Sequence, residues 1–309
     1  MKKILVTGGA GYIGSILVPS ILELGNEVTV YDSLIHNQNS LLESCANKNF
    51  SFIQGDICNY QEINKILPQY DVVILLAALV GAPACKKNVS LSNLVNYEAH
   101  VNILDNVSDE QRVIFPNTNS GYGIGGEEIC TENSPLNPIS EYGVMKCKVE
   151  ELVMERRNSI SFRLATVFGM SPRMRTDLLV NDFVYRAFND KYIVLFEEHF
   201  RRNYIHIRDV AKAFIQSIDD DLMIGECFNL GLSSANLSKI ELAEKIKFYL
   251  PEFVIHTAEI GEDPDKRDYI VSNEKLEKTG WHPDHSLDDG IQELIKGYSI
   301  IRENSFTNA

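Results

Sequence analysis

Tyr142 and Lys146 stand four residues apart, a spacing that puts a phenol and an ammonium group on one face of a helix start. A tyrosine with its ordinary pKa of about 10 is a poor base at neutral pH. A neighbouring lysine cation and an oxidised nicotinamide ring would both stabilise the phenolate and lower that pKa. The same spacing also occurs where a half-buried tyrosine lies beside a solvated lysine and neither is catalytic. The surrounding motifs decide between the catalytic and the structural interpretation.

Three glycines, Gly8, Gly11 and Gly14, supply one such motif. Their G-x-x-G-x-x-G spacing lies between a predicted strand and a predicted helix. It suits a tight turn, a close approach of the backbone to a pyrophosphate, and a helix N-terminus that faces the phosphates. Asp32 ends the next predicted strand, 18 residues after Gly14. We predict that a dinucleotide is held by Gly8, Ala10, Gly11, Tyr12, Ile13, Gly14, Asp32 and Ser33.

Asp32 also predicts which dinucleotide is bound. Its carboxylate can accept hydrogen bonds from the adenosine ribose, and its charge would repel a 2′-phosphate. No Arg or Lys occurs in Ser33–Ser44. The predicted cofactor is therefore NAD rather than NADP. A simple turn aspartate at the end of a strand is the structural alternative.

The elements that must position these residues alternate through the first half of the chain. Strands are predicted at Ile4–Val6, Glu27–Tyr31, Phe50–Gln54, Val72–Leu76, Val113–Phe115 and Ser161–Leu164, and helices at Tyr12–Leu24, Tyr60–Leu67, Leu91–Val107 and Tyr142–Arg156. Several strands are apolar throughout, as expected where helices cover both faces of a sheet. The repeated β-α-β units predict an α/β fold with a Rossmann-type, doubly wound parallel sheet and ligands at the carboxyl ends of its strands.

This alternation ends after about Gly169. A polar, arginine-rich segment is followed by predicted helices at Asp177–Phe188 and Arg208–Ile218, a strand at Asn203–Ile207, and a helix to Leu250 that opens with a Ser238–Glu241 capping box. We predict a smaller, interleaved C-terminal α/β substrate domain. The predicted division is a dinucleotide-binding domain of residues 1–168 plus about 202–235, a substrate domain of about 169–201 plus 236–301, and a disordered tail of 302–309.

Composition argues against other classes of protein. The 309 residues include 29 Lys and Arg against 43 Asp and Glu, and the net charge of −14 argues against nucleic acid or a membrane surface as partner. The apolar run at Ile4–Val6 is too short for a signal peptide, and no run approaches a membrane span. The six cysteines are widely separated, as in reduced core thiols, and the histidines lack metal-ligand spacing. We expect a cytoplasmic protein without a metal.

An ordered series of motifs resembles the extended short-chain dehydrogenase/reductase family of NAD-dependent nucleotide-sugar epimerases and dehydratases. The matching segments cover nearly the whole chain. They are Thr7–Gly14, Asp32, Asp56-Ile57, Leu76-Ala77-Ala78, Asn96, Thr118…Tyr122-Gly123, Tyr142…Lys146, Arg163–Gly169, Arg202–Val210, Gly280-Trp281-x-Pro283 and Leu287–Ile291.

The resemblance implies a role for each matching residue. Thr118 corresponds to the hydroxyl residue that binds the reacting sugar hydroxyl, Tyr142 to the general base, and Lys146 to its partner, which also binds the nicotinamide ribose. Asp56 and Ile57 correspond to adenine contacts, and Leu76, Ala77, Ala78 and Asn96 belong to the cofactor-binding set. The implied substrate-binding residues are Thr118, Asn119, Ser120, Thr166, Arg173, Arg175, Asn181, Arg202 and Arg267, whose arginines suit a diphosphate.

Departures from the family pattern narrow the chemistry. The 4,6-dehydratases carry an Asp-Glu pair where this chain has Asn119 and Ser120, neither of which titrates. The 3,5-epimerising reductases carry a cysteine where Ser120 stands, whereas Cys130 and Cys147 lie elsewhere and are predicted to be packing residues. Thr166 replaces an asparagine that is common in the family. We therefore expect hydride transfer at sugar C4, and we do not expect dehydration.

The resemblance also implies a substrate, an oxidant and an assembly. Asn117–Gly123 and Phe168–Asn181 resemble segments of a family branch that oxidises GDP-linked glycero-manno-heptose to its 4-keto form in capsule polysaccharide synthesis, with 2-oxoglutarate recycling the NADH. A UDP-glucose/galactose-type 4-epimerase and a non-catalytic NAD-sensing protein are the alternatives. The family usually dimerises through helices that correspond to Leu91–Val107 and Tyr142–Arg156, so a homodimer or a dimer of dimers is expected.

Overall fold

The computed structural model describes residues 1–258 and 267–301, without the side chains of residues 82–84 and 125–127. The predicted disordered tail, 302–309, lies outside the described residues. Within them, seven strands form one sheet: β1 (Lys3–Thr7), β2 (Glu27–Asp32), β3 (Phe50–Gln54), β4 (Val72–Leu75), β5 (Arg112–Thr118), β7 (Ser159–Leu164) and β11 (Glu226–Leu230).

This sheet runs β11-β7-β5-β4-β1-β2-β3, and all of its neighbouring strands are parallel. All four residues of β4 and all six of β7 are buried, because helices cover both faces of the sheet. One apolar core lies on each face. The order reverses beside β1, and such a switch point is where ligands bind in open α/β sheets. The predicted doubly wound parallel fold is confirmed.

The helices alternate with these strands. They are α1 (Gly14–Glu23), α2 (Tyr60–Ile66), α3 (Ala82–Lys87), α4 (Val89–Asn93), α5 (Ala99–Asn106), α6 (Glu141–Met154), α7 (Leu179–Asn189), α8 (Ile207–Asp219), α9 (Lys239–Tyr249), α10 (Glu274–Glu277) and α11 (Leu287–Ile300). The single helix predicted over Leu91–Val107 is wrong in one respect, since a π-helical segment, Leu94–Glu98, separates α4 from α5. The predicted capping box of α9 is confirmed: Ser238 accepts from the Glu241 amide, and the Glu241 carboxylate accepts from the Ser238 amide.

Seven further strands of the described residues lie outside the main sheet. They are β6 (Ile124–Cys130), β8 (Thr166–Phe168), β9 (Tyr192–Phe196), β10 (Arg201–His206), β12 (Asn236–Ser238), β13 (Val254–Ala258) and β14 (Asp268–Val271). Strand β10 joins β8 and β12 in a three-stranded sheet, while β9 pairs with β13 and β6 with β14. Sequence analysis predicted only β10 among them. Five of the other six have three to five residues and carry little periodic signal, whereas β6 has seven residues and was also missed. The division into two domains stays a prediction.

Two expectations from composition can be compared with the fold. All six cysteines are free, and Cys85, Cys130 and Cys147 are buried, but Cys45 is exposed and so is not a core thiol. In the described part of the chain, no helix combines the length and the apolar character needed to cross a membrane.

Candidate functional site

The turn between β1 and α1 requires glycine for two separate reasons. Gly8 has a φ of +70°, and a Cβ atom there would lie 2.5 Å from the backbone of Ala77. A Cβ atom on Gly14 would lie 2.3 Å from the carbonyl oxygen of Gly9, which would prevent close packing at the start of α1. No side chain caps the N-terminus of α1. The turn is therefore a backbone cradle in front of a helix dipole, which fits a dinucleotide pyrophosphate.

Asp32 closes one side of this cradle. Its carboxylate accepts hydrogen bonds from the amides of Ala10 (3.0 Å) and Leu34 (2.8 Å), and from the Gln38 side chain (3.2 Å). Burial raises the pKa of Asp32, and the two amide bonds oppose that effect. Ser33, next in the chain, is exposed. The location at the end of β2, beside the cradle, suits a carboxylate that binds a ribose.

The loops after β3 and β4 supply the other predicted cofactor residues. Asp56 is exposed, and its carboxylate accepts from the Cys58 amide at 2.9 Å, while Ile57 is buried. Leu76, Ala77 and Ala78 follow β4 and are half-buried beside Gly8. Asn96 is fully buried, and both ends of its amide bond the backbone of Leu79, at 2.8 and 2.9 Å. Asn96 therefore fixes the loop after β4.

Tyr12 has a structural use that sequence analysis did not predict. Its hydroxyl donates to the carbonyl of Gly169 at 2.6 Å and accepts from the Asn181 amide at 3.1 Å. Asn181 is fully buried and also bonds the carbonyl of Arg175 (2.8 Å) and the amide of Gly169 (3.1 Å). Both side chains join the glycine turn to the segment after β8, and their roles in ligand binding stay predictions. Ile13, beside Tyr12, is half-buried and packs against the core.

Thr118 ends β5, and its hydroxyl lies in a short chain of hydrogen bonds. It shares a bond of 2.6 Å with the Ser120 hydroxyl, which also accepts from the Arg267 guanidinium at 2.5 Å. Asn119 is fully buried, and neither atom of its side-chain amide has a partner in the described residues. The structure thus brings Thr118, Ser120 and Arg267 together, although 147 residues separate the last two.

Tyr142 and Lys146 lie in the first two turns of α6, whose N-cap is Ser140. Burial raises the pKa of Tyr142 to about 12, and the positive charges of Arg175 and Arg267 oppose that increase. Lys146 is 2% exposed, and its ammonium lies 3.9 Å from the centre of the Phe115 ring. Burial lowers the pKa of Lys146 to about 7. Burial disfavours the charged form of each group.

Two of the predicted substrate arginines, Arg173 and Arg175, lie in the segment after β8. Arg175 makes a two-bond ion pair with Asp177, at 2.6 and 2.5 Å. Arg173 is buried and donates to the Met174 carbonyl, and its charge lowers the pKa of Asp32. It therefore lies within electrostatic reach of the predicted cofactor site as well as of Arg175.

Arg202 and Thr166 lie in the three-stranded sheet. Arg202 is 2% exposed, donates to the Arg201 carbonyl, and has its guanidinium 5.8 Å from the Tyr269 ring centre. Thr166 begins β8, is half-buried, and is paired with Tyr204. These positions surround the same carboxyl edge of the main sheet. The roles of these residues in binding remain predictions.

Sequence analysis did not predict two clusters of interacting side chains. Glu150 and Arg163 form a buried ion pair of 2.7 Å, one turn beyond Lys146. The only local signal was a glutamate four residues after the lysine, and the partner lies on another element.

A second group joins α8 to α11. Ligand atoms of His206, Asp209 and His285 lie within 4.8 Å of one another. His206 Nε2 bonds Glu293 at 2.6 Å, and Asp209 accepts from the amides of Asp284 and His285. These contacts already tie the two helices together, and the absence of a metal stays a prediction.

Comparisons with known proteins agree with this geometry. The model of the NAD dependent epimerase/dehydratase family matches residues 4–231. The chain is 27% identical to the low-salt glycan biosynthesis protein Agl12 of Haloferax volcanii, covering 96% of this chain and 98% of that one. It is 26% identical to the UDP-glucose 4-epimerase of Lactobacillus helveticus, with 95% and 96% covered.

Among solved structures, the UDP-glucose 4-epimerase of Thermus thermophilus in complex with NAD superimposes with a TM-score of 0.82. It is 22% identical, and the match covers 96% of this chain and 99% of that one. The matched range, residues 4–231, includes the glycine cradle, Asp32, Tyr142 and Lys146. The chain belongs to the NAD-dependent epimerase/dehydratase family and is an enzyme that uses NAD.

Proposed function

We propose that the enzyme oxidises the C4 hydroxyl of a nucleotide-diphosphate sugar. The observation that carries this proposal is that the Tyr142 phenol lies near enough to Arg175 and Arg267 for both charges to oppose the increase in its pKa that burial causes. Arg267 in turn bonds the hydroxyl next to Thr118. A proton acceptor, a hydroxyl-binding group and cations for a diphosphate thus share one site.

The residues divide the chemistry as follows. Thr118 orients the sugar hydroxyl, and Tyr142, as phenolate, removes its proton. NAD bound by the glycine cradle and Asp32 would supply the hydride acceptor, so that the sugar would lose two hydrogens and become a ketone. Lys146, as ammonium, would stabilise the phenolate, as a neighbouring cation does for any phenol. The charges of Arg175 and Arg267 oppose the increase in the Tyr142 pKa that burial causes.

Water elimination is not part of the proposal. It requires a titratable acid and base beside the sugar, and the two positions after Thr118 are Asn119 and Ser120. The Ser120 hydroxyl is already engaged with Thr118 and Arg267. Hydride transfer is the chemistry that these side chains support.

The finer proposal concerns the substrate and the fate of the ketone. We infer net oxidation of GDP-linked glycero-manno-heptose to its 4-keto form, with 2-oxoglutarate as the co-substrate that reoxidises NADH. This inference is supported by the resemblance of the Asn117–Gly123 and Phe168–Asn181 segments. A UDP-sugar 4-epimerase is the second candidate, favoured by the similarity to the enzyme of Lactobacillus helveticus. A non-catalytic NAD-sensing protein is disfavoured because both Tyr142 and Lys146 are present.

Mass spectrometry of the products distinguishes these candidates. Purified enzyme is given UDP- and GDP-linked hexoses and heptoses, with and without 2-oxoglutarate, beside a Tyr142→Phe control. Loss of two hydrogens from one sugar, with formation of NADH or a reduced oxoacid, supports net oxidation. An unchanged mass with a new chromatographic peak means epimerisation. If none of the sugars changes, the proposed substrate class is wrong.

We also infer a homodimer that forms through α5 and α6. Val144 on α6 is 36% exposed, although the same helix buries Met145, Lys146 and Cys147. An exposed apolar side chain on that outer face suits a helix-to-helix interface. Light scattering of the purified protein tests this inference, and a monomer at micromolar concentration would contradict it.

A further inference from the structure

His100 is a fully buried histidine near the site for which the proposed chemistry has no use. It is the second residue of α5 and follows directly after the π-helical segment Leu94–Glu98. Its ring packs edge-on against Phe115, with ring centres 5.8 Å apart. Single π-helical turns inside α-helices occur often at functional sites. The burial of this polar ring beside irregular backbone therefore indicates a specific role for His100.

The hydrogen bond of His100 determines which nitrogen carries its proton. Nδ1 lies 3.0 Å from the carbonyl oxygen of Val95, inside the π-helical segment, and a carbonyl can only accept. Nδ1 is therefore protonated in the neutral ring. Burial and, to a smaller extent, the charge of Lys146 lower the pKa of His100 to about 3, so the ring is neutral at physiological pH. Nε2 is then a buried lone pair with no partner in the described residues.

Lys146 offers hydrogen-bond donors, whereas His100 Nε2 offers an acceptor. Its ammonium carries three donors, is 2% exposed, and lies over the face of the same Phe115 ring against which His100 packs. No hydrogen bond from this ammonium occurs within the described residues. The ionisable groups that act on it from its own helix are Glu150 and Cys147. A buried acceptor without a partner and the ammonium of a buried lysine thus lie around one aromatic ring.

We propose that His100 Nε2 accepts a hydrogen bond from a single water that also binds one N–H group of Lys146, and so helps to keep the ammonium charged. His100 is then a positioning residue: it contacts no substrate and acts only through Lys146. The π-helical segment fixes its tautomer through the Val95 carbonyl. This inference rests on the proposed function only for its kinetic consequence, since the hydrogen bond itself requires no substrate.

The first test is nitrogen NMR of protein labelled with ¹⁵N-histidine, cofactor-free and with NAD. The His100 signals are assigned from their loss in His100→Gln. We expect an unprotonated Nε2 whose shift moves toward that of a free imine nitrogen in Lys146→Met. A protonated Nε2, or a shift that Lys146→Met leaves unchanged in both states, overturns the proposal. Neither outcome depends on which sugar the enzyme uses, so this test is separate from that of the proposed function.

The second test is the pH profile of kcat with the sugar identified by mass spectrometry. In His100→Leu the ammonium loses its acceptor, so the alkaline limb of the profile moves to lower pH by about one unit. His100→Gln keeps an acceptor near the position of Nε2 and keeps the wild-type limb. If His100→Leu lowers Tm but leaves the limb in place, the residue only packs the core and the proposal is wrong.

Discussion

The carboxylate of Glu150 accepts two hydrogen bonds from the guanidinium of Arg163, at 2.9 and 2.7 Å, in the interior between α6 and β7. The side chains are only 4% and 8% exposed. Burial alone would lower the pKa of Arg163, but the hydrogen bonds and charge of Glu150 raise it overall. The pair therefore stays charged, and it fixes the helix that carries Tyr142 and Lys146.

Replacement of Glu150 by Gln should destabilise the fold strongly. The change leaves the buried Arg163 charge without its counterion, which typically costs about 3–5 kcal/mol. Urea denaturation measures the loss, with Glu151→Gln on the exposed side of the same helix as the control. A loss of stability as small as that of the control would mean that water or another group compensates the charge of Arg163.

Replacement of Tyr142 by Phe should abolish most turnover without loss of the cofactor. Removal of a general base typically lowers kcat by about 100- to 10,000-fold. The ring remains, so the affinity for NADH, measured by fluorescence titration, should stay close to that of the wild type. Tyr192→Phe, at an exposed position on β9, is the matched control. Full turnover in the Tyr142 variant would refute its assignment as the base.

Replacement of Lys146 by Met should stabilise the cofactor-free protein in a pH-dependent way. Burial lowers the pKa of Lys146 from 10.5 to about 7, so the unfolded chain binds more protons than the folded one between these pH values. Wild-type stability therefore rises with pH across this window, and the variant lacks that increase. The advantage of the variant should be largest below pH 7 and shrink by about 4 kcal/mol by pH 10.5.

Urea denaturation of both proteins at several pH values measures this difference. Lys148→Met, at an exposed position on α6, is the control and should show no such trend. An advantage that stays constant from pH 6 to pH 10 would mean that Lys146 keeps an ordinary pKa in the folded protein.

Replacement of Asp32 by Asn should relax the choice of cofactor. The charge that repels a 2′-phosphate disappears. Ala10 and Leu34 donate to different oxygens of Asp32, so the single amide oxygen of Asn can keep only one of these two bonds. We expect NADH affinity to fall about tenfold, equivalent to about 1.4 kcal/mol, and NADPH affinity to rise. Fluorescence titration with both cofactors measures the ratio. Asp71→Asn, at the opposite end of the sheet where Asp71 accepts from the Lys3 amide, is the control. An unchanged ratio of NADH to NADPH affinity would mean that Asp32 serves only as a turn residue.

The parts of the site that the sequence predicts are those that depend on local spacing. The turn from Gly8 to Gly14 and the strand end at Asp32 follow from steric and electrostatic demands within a few residues. The link from Arg267 to Ser120 and the ion pair of Glu150 with Arg163 depend on how distant strands meet. The shortest strands were missed for a similar reason: β8 has three residues and is defined by its pairing with β10.

The hydroxyl of Tyr12 joins the turn that cradles the cofactor to Gly169, at the start of the segment that carries Arg173 and Arg175. Asn181 bonds the same hydroxyl and the Arg175 carbonyl, so the turn and the segment share one buried network. A ligand that displaces the arginine segment therefore also changes the free energy of the cofactor turn. Thermodynamic linkage requires the reverse effect to be equal in size, so occupancy of either site sets the affinity of the other by the same factor.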